Sequence, residues 1–96
     1  MPAYIIADTE ITDPVAYDEY KAKARPLAEK WGGEYLARGG RLAVDDADRW
    51  TPVRLVLIRF PSFEAAEAFL ASEDYAPLKA LRRANAKSTL VVVEGL

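Results

Sequence analysis

Residues Val53–Ser62 read VRLVLIRFPS, a run dominated by aliphatic and β-branched side chains. Successive side chains of a strand point to opposite faces of a sheet. Both faces of this run are apolar, with Val53, Leu55 and Leu57 on one and Val56, Ile58 and Phe60 on the other. A strand with one face in water would alternate apolar with polar residues, and only Arg54 and Arg59 interrupt this run. We therefore predict a central strand that is covered on both faces.

The residues after this run predict the end of the strand and the start of a helix. Pro61 has no backbone N–H to donate to a neighbouring strand, so pairing ends there. Ser62 can then cap a helix over Phe63–Ala71, with Glu64 in the first turn, where an acidic side chain is favourable.

The C-terminal part of the chain predicts a second helical piece and a last strand. Ser72-Glu73-Asp74 has the composition of another cap and leads into a helix that extends to about Asn85. Ser88–Glu94 is apolar on both alternating faces through most of its length, which is typical of a strand.

The N-terminal part predicts a strand followed by a helix. Ala3–Ile11 has an apolar face and a second face that changes from apolar to acidic. Asp13 and Pro14 form a typical helix start, because Asp caps well and Pro fits the first helical position. Gly32-Gly33 then ends the helix.

Between the first helix and the central strand, the pattern predicts a broken strand and a turn. Glu34–Arg38 is a short strand, interrupted by Gly39-Gly40 and resumed as Arg41–Val44. The polar segment Asp45–Pro52 then closes a hairpin into the central strand.

The order strand, helix, strand, strand, helix, strand predicts an α+β fold of the ferredoxin-like βαββαβ type. Short connections place strands one and three in the middle of an antiparallel four-stranded sheet, with the helices on one face. We expect a single domain over residues 1–96. The other face of this sheet is aliphatic, and a soluble monomer rarely exposes so large an apolar patch to water. A second copy packed on it would give a homodimer.

Composition limits the chemistry that the chain can perform. It has 96 residues, no cysteine, no histidine and a formal net charge of −2. We therefore expect no disulfide, no metal site, no haem and no other cofactor. An acidic chain without a basic groove is not expected to bind nucleic acid. We also expect a cytoplasmic protein that does not enter a membrane, since no signal peptide and no apolar run of about 18 residues is present.

Several short motifs resemble one family in order and spacing over nearly the whole chain. They are the run Trp31–Gly40 (WGGEYLARGG), Phe60-Pro61-Ser62, Ser72–Tyr75 (SEDY) and Leu81-Arg82. The chain resembles the family called domain of unknown function 1330 (DUF1330), of the dimeric α+β barrel superfamily. It departs from that pattern at Phe69-Leu70, where a Trp-Tyr pair is usual.

The resemblance implies a dimeric α+β barrel and widens the range of expected activities. The superfamily includes cofactor-independent monooxygenases, lactone isomerases, haem-degrading enzymes and chlorite-converting enzymes. It implies neither a reaction nor a ligand for this chain.

The arginines are the first candidates for ligand binding. Arg38 precedes Gly39 and Gly40, which allow a close backbone approach, and its guanidinium could hold a carboxylate or enolate through two hydrogen bonds. Arg59 interrupts the apolar central strand, and Arg82 belongs to the resemblance motif. The alternative for Arg38 is a structural ion pair or a contact across the dimer. For Arg59 it is a pairing with a carboxylate at the end of the sheet, and for Arg82 a contact that ties its helix to the sheet.

Aromatic residues are the second group of candidates. An aromatic ligand pocket could be lined by Tyr17, Tyr20, Tyr35, Tyr75 and Trp50. The alternative for Tyr17 and Tyr20, which are at helical spacing, is a place in the core with their hydroxyls bonded. Trp50 in a polar loop suggests a dimer contact or a pocket lid. Asp8 and Glu10 share a face of strand one, which fits an acid–base pair, a cation site or a solvated strand end.

Two classes of function remain from the sequence. The first is an enzyme or binder of a small anionic or carbonyl-bearing metabolite, working without metal or haem; no catalytic residue is identifiable. The second is a non-enzymatic dimeric module that binds a ligand or a protein.

Overall fold

The computed structural model describes residues 1–96. Its seven elements are β1 (Ala3–Ile11), α1 (Pro14–Lys30), β2 (Glu34–Arg38), β3 (Leu55–Phe60), α2 (Phe63–Ala71), α3 (Ala76–Asn85) and β4 (Ala86–Glu94). The predicted order of strands and helices is confirmed, and β1, β2 and α2 have the predicted bounds.

One antiparallel sheet has the strand order β2-β3-β1-β4. β1 pairs with β3 on one side, with Ile5 opposite Ile58, and with β4 on the other, with Ile5 opposite Val92. Strands β1 and β3 are therefore central, as predicted, and the fold is ferredoxin-like.

The core lies between the sheet and the helices. Every second residue of β1 from Ala3 to Thr9 is buried, and so are alternate residues of β3. Three aromatic rings join the layers, since Phe69 stacks on Phe60 at 5.5 Å between centroids and lies 4.7 Å from Tyr75. Aromatic pairs at such distances contribute roughly 0.5–1.5 kcal/mol beyond the area they bury.

Side-chain caps begin α1 and α2 where the sequence places them. The Asp13 carboxylate accepts from the Ala16 N–H, and the Ser62 hydroxyl accepts from the Ala65 N–H, each at 3.1 Å. Gly32, at a φ of +95°, has the left-handed conformation that commonly ends a helix and follows the last turn of α1.

Ser72 was predicted to cap the second helical piece, but it lies one turn before that helix begins. The Ser72 hydroxyl accepts from the Tyr75 N–H at 3.1 Å and donates to the Phe69 carbonyl at 2.7 Å. It thereby shapes the turn that separates α2 from α3. α3 itself begins at Ala76 without a side-chain cap.

Three strand bounds differ from the prediction. Arg41–Val44 was predicted as a strand and is irregular. The Gly39 N–H donates the last hydrogen bond to β3, at the Leu55 carbonyl, and Gly39 then turns the chain away with a φ of +68°. β3 begins at Leu55 rather than Val53, because the N–H groups of the two preceding residues bond the Asp8 carboxylate instead of a strand. β4 begins two residues early, at Ala86, which pairs with Ile11.

The second face of the sheet, called the open face below, carries no helix. An apolar row crosses all four strands on this face, formed by Ala37, Leu57, Ile6 and Val91. Val91 and Val93 are 48% and 45% exposed. One chain covers only the helix side of β3, so the predicted coverage of its second face requires a second copy and stays a prediction. None of the helices combines the length and the apolar composition needed to cross a bilayer.

Candidate functional site

A cavity of about 40 Å³ lies between the sheet and helices α1 and α3. Space of this size holds roughly three water molecules. Small residues account for it, because Ala7 on β1 and Ala24 on α1 both line the cavity where larger side chains would fill it. Of the 17 lining residues, 12 are hydrophobic and none is acidic.

Arg82 is the feature that distinguishes this cavity from an ordinary packing defect. Its side chain lines the cavity, is only 8% exposed and belongs to no ion pair or side-chain hydrogen bond of the chain. Its Nε is buried without any partner. A buried donor without a hydrogen-bond partner costs roughly 1–3 kcal/mol, and more when it belongs to a charged group. An anion in the cavity would remove that cost.

Three further cationic side chains line the cavity. Arg38 at the end of β2 is exposed, lies 5.6 Å from the centre of the Tyr35 ring and reaches the Lys21 carbonyl at 3.4 Å. Arg54, half-buried, packs beside Gly39, and a Cβ at that glycine would lie 2.9 Å from the Arg54 Nε. Lys21 is on α1, where it pairs with an aspartate at 3.5 Å. The cavity therefore carries net positive charge in an acidic protein.

Tyrosine hydroxyls supply the other polar groups of the cavity. The Tyr20 and Tyr75 hydroxyls lie 2.7 Å apart. Burial raises the pKa of Tyr35 to about 12. Burial also raises the pKa of Tyr20, assisted by Tyr75, and that of Tyr17, although the Arg54 charge opposes the shift at Tyr17. These three tyrosines therefore stay protonated at neutral pH and act as hydrogen-bond donors.

The structure brings together only part of the predicted set. Arg38, Arg82, Tyr17 and Tyr75 all line the cavity. Arg59 does not: it is exposed on the open face, opposite Tyr4 and Glu34 in the register.

The two glycines after Arg38 lie outside the cavity lining. Gly39 provides the turn and the close approach of Arg54, as its sequence context predicted. Gly40 has open space around it, so nothing approaches its backbone closely.

Arg54 is the main residue that sequence reasoning left out. It was visible as one of only two polar interruptions of the central apolar run. Arg54 lies two residues before Val56, so the two side chains are on the same face of the strand. Val56 is buried on the helix side, and Arg54 therefore reaches the cavity.

The Asp8 side chain is hydrogen-bonded to other parts of the chain. Its carboxylate accepts from the N–H groups of Val53 and Arg54, each at 2.9 Å, and from the Trp50 indole N–H at 2.8 Å. Desolvation by burial tends to raise the pKa of Asp8, but these hydrogen bonds outweigh it and lower that pKa. Asp8 thus holds the end of the irregular segment 39–54 against the sheet, and Trp50 stays half-exposed beside it.

A family model described as a domain of unknown function (DUF1330) matches residues 2–96. The chain belongs to the DUF1330 family. The motifs around Arg38 and Arg82 that carried the resemblance in the sequence therefore lie at the cavity of a DUF1330 protein. No curated protein matches the chain.

Solved structures similar to this DUF1330 chain share its fold. A protein of unknown function from Rhodopseudomonas palustris has a TM-score of 0.75 at 19% identity, covering 99% of this chain and 82% of that one. A dimeric ferredoxin-like protein of unknown function from Jannaschia sp. CCS1 has a TM-score of 0.73 at 18% identity, covering 99% and 100%. SnoaB, a cofactor-independent oxygenase from Streptomyces nogalater, has a TM-score of 0.68 at 14% identity, covering 99% and 93%. At these identities the likeness shows the fold, and it confirms the predicted ferredoxin-like class.

Proposed function

We propose that the cavity binds a small organic carboxylate with an apolar, preferably aromatic, body. The observation that carries this proposal is Arg82, a nine-tenths buried residue that lines the cavity and whose Nε has no hydrogen-bond partner in the chain. A carboxylate matches the guanidinium fork through two parallel hydrogen bonds, which is the strongest pairing that this side chain makes.

The rest of the cavity supports the same class of ligand. Its apolar lining fits a hydrophobic body, and its protonated tyrosines can donate to a carbonyl or carboxylate oxygen. Arg38 and Arg54 add positive charge, which favours the approach of an anion. The cavity of about 40 Å³ is smaller than the roughly 150 Å³ that accommodates a benzene ring, so a ligand of benzoate size enlarges the space when it binds.

Binding without turnover is favoured by the residues present. No acidic side chain lines the cavity, and three of its tyrosines have a raised pKa, so none of these serves as a general base at neutral pH. The fold shared with SnoaB, which is named a cofactor-independent oxygenase, supports the alternative of oxygenation. Oxygen uptake on addition of an electron-rich phenol would favour that alternative.

The binding unit in this proposal is a homodimer formed through the open face. The apolar row across four strands supports it, and so does a relative that is named dimeric. Each subunit has its own cavity on the other side of its sheet, so a dimer would hold two ligands.

The test compares benzoate with benzamide, its neutral counterpart, by calorimetric titration of wild-type protein and of Arg82→Met. We expect wild-type protein to bind benzoate at least tenfold more tightly than benzamide. In Arg82→Met that preference disappears, and the melting temperature rises by several degrees, because an apolar side chain replaces a buried unpaired charge.

Two controls keep this test specific. Arg83→Met removes the neighbouring, exposed arginine and should leave benzoate binding unchanged. Ala7→Val fills the cavity without changing its charge and should weaken both ligands, while Ala37→Val on the open face should not. Equal affinities for benzoate and benzamide, or an Arg82→Met protein that is less stable and binds benzoate normally, would refute the proposal.

A further inference from the structure

A second pocket lies on the other side of Arg82, between α3 and β4. It is an open pocket of about 350 Å³, called the basic pocket below. Its polar lining consists of Lys79, Arg82, Arg83 and Ser88. Leu70, Arg82 and Leu90 line both this pocket and the cavity, so they form the wall between the two.

The cations of the basic pocket have no counter-charge within the chain. All three ion pairs of the protein lie along α1, and none includes Lys79, Arg82 or Arg83. No acidic residue lines the pocket, although the chain has 15 acidic residues and only 13 basic ones. Arg82 adds a buried Nε without a hydrogen-bond partner.

The spacing of these cations is unfavourable unless something binds them. Lys79, Arg82 and Arg83 stand at positions i, i+3 and i+4 of α3, which places like charges on neighbouring parts of the helix surface. The helix dipole favours the two arginines in the last turn. It explains neither Lys79 in the first half of the helix nor the burial of Arg82.

We infer that the basic pocket is a binding site for a phosphoryl group. Three cations can neutralise a dianion, whereas a single carboxylate would leave excess positive charge. The several oxygens of a phosphoryl group can accept from the guanidinium forks, the lysine ammonium and the Ser88 hydroxyl at once. The cavity and the basic pocket are thus two anion sites of different chemistry on either side of Arg82.

The two sites can be tested separately because most of their residues are not shared. Lys79 and Arg83 line only the basic pocket, whereas Arg38 and Tyr35 line only the cavity. A variant that changes Lys79 and Arg83 therefore reports on the phosphoryl site. Its benzoate affinity should stay at the wild-type value, so this proposal and the proposed function fail independently.

The experiment titrates wild-type protein and the double variant Lys79→Gln/Arg83→Gln with inorganic phosphate, followed by ³¹P NMR and calorimetry. We expect saturable one-to-one binding per subunit to wild-type protein and at least a tenfold weaker affinity in the double variant. Phenyl phosphate is titrated in parallel. Tighter binding of phenyl phosphate that is lost in the double variant points to an organic phosphate as the ligand of this pocket, and equal binding of the two points to free phosphate.

The matched control is Arg41→Gln/Arg49→Gln, which removes two exposed arginines from the irregular segment. It lowers the net charge by the same amount and should leave phosphate affinity unchanged. An equal loss of phosphate affinity in both double variants would mean that this affinity depends only on the net charge of the protein, which overturns the proposal. So would the lack of saturable phosphate binding to wild-type protein.

Discussion

Asp8 and Arg82 differ in how far the chain itself hydrogen-bonds their charged groups. The Asp8 carboxylate accepts three hydrogen bonds from the chain, whereas the buried Nε of Arg82 donates none to it. A fully bonded charge stabilises local structure. An unbonded buried charge lowers the stability of the empty protein and is available to a ligand.

The Asp8→Asn substitution should destabilise the protein at neutral pH by about 1–2 kcal/mol. The amide oxygen of the introduced asparagine can still accept from the backbone N–H groups. Its NH₂ group would face the Trp50 indole N–H, however, and the negative charge is lost. Because folding lowers the pKa of Asp8, its contribution is present above the unfolded value near 3.8 and is lost as the pH falls through the folded value. Thermal unfolding of both proteins from neutral pH downward measures this difference.

The control for this prediction is Glu10→Gln, two residues further along the same face of β1. Glu10 is exposed and makes no side-chain hydrogen bond within the chain, so its variant should unfold within about 0.5 kcal/mol of wild type. A Glu10→Gln protein as unstable as Asp8→Asn would show that acidic charge on this face matters, and not the three hydrogen bonds.

At the scale of elements, the sequence predicted the regular parts well because their signals are local. The caps at Asp13 and Ser62, and the turn at Gly32-Gly33, all depend on residues within a few positions of the element they bound. The segment 39–54 was predicted less well. Its path depends on Asp8, which is more than forty residues away in sequence and whose carboxylate takes two N–H groups that strand pairing would have used.

The candidate site was predicted in part for a related reason. The alternation of side chains in Val53–Ser62 correctly places Arg54 and Arg59 on opposite faces of the strand. Both faces of this run are otherwise apolar. No local signal then tells which face meets the helices. Once the packing places Val56 and Ile58 inside, Arg54 faces the cavity and Arg59 the open face.

At the scale of the whole molecule, the open face should pair with a second copy in solution. We expect sedimentation at micromolar concentration to give a dimer for wild-type protein and a monomer for Val91→Lys, because a lysine in the apolar row would bury its charge in the interface.

Val15→Lys is the matched control for the dimer. Val15 is 83% exposed on α1, away from the sheet, so this variant should sediment as a dimer. A monomeric wild-type protein would leave the apolar row facing water and would refute the interface.

The central claim is that Arg82 lacks a partner because an anion from solution supplies it. A crystal structure of the protein soaked with benzoate tests this claim most directly. We expect the carboxylate of benzoate within hydrogen-bond distance of the Arg82 guanidinium, with the ring against the apolar lining near Ala7 and Ala24. A cavity that holds only water, or an Arg82 paired with an acidic side chain of the second subunit, would contradict it.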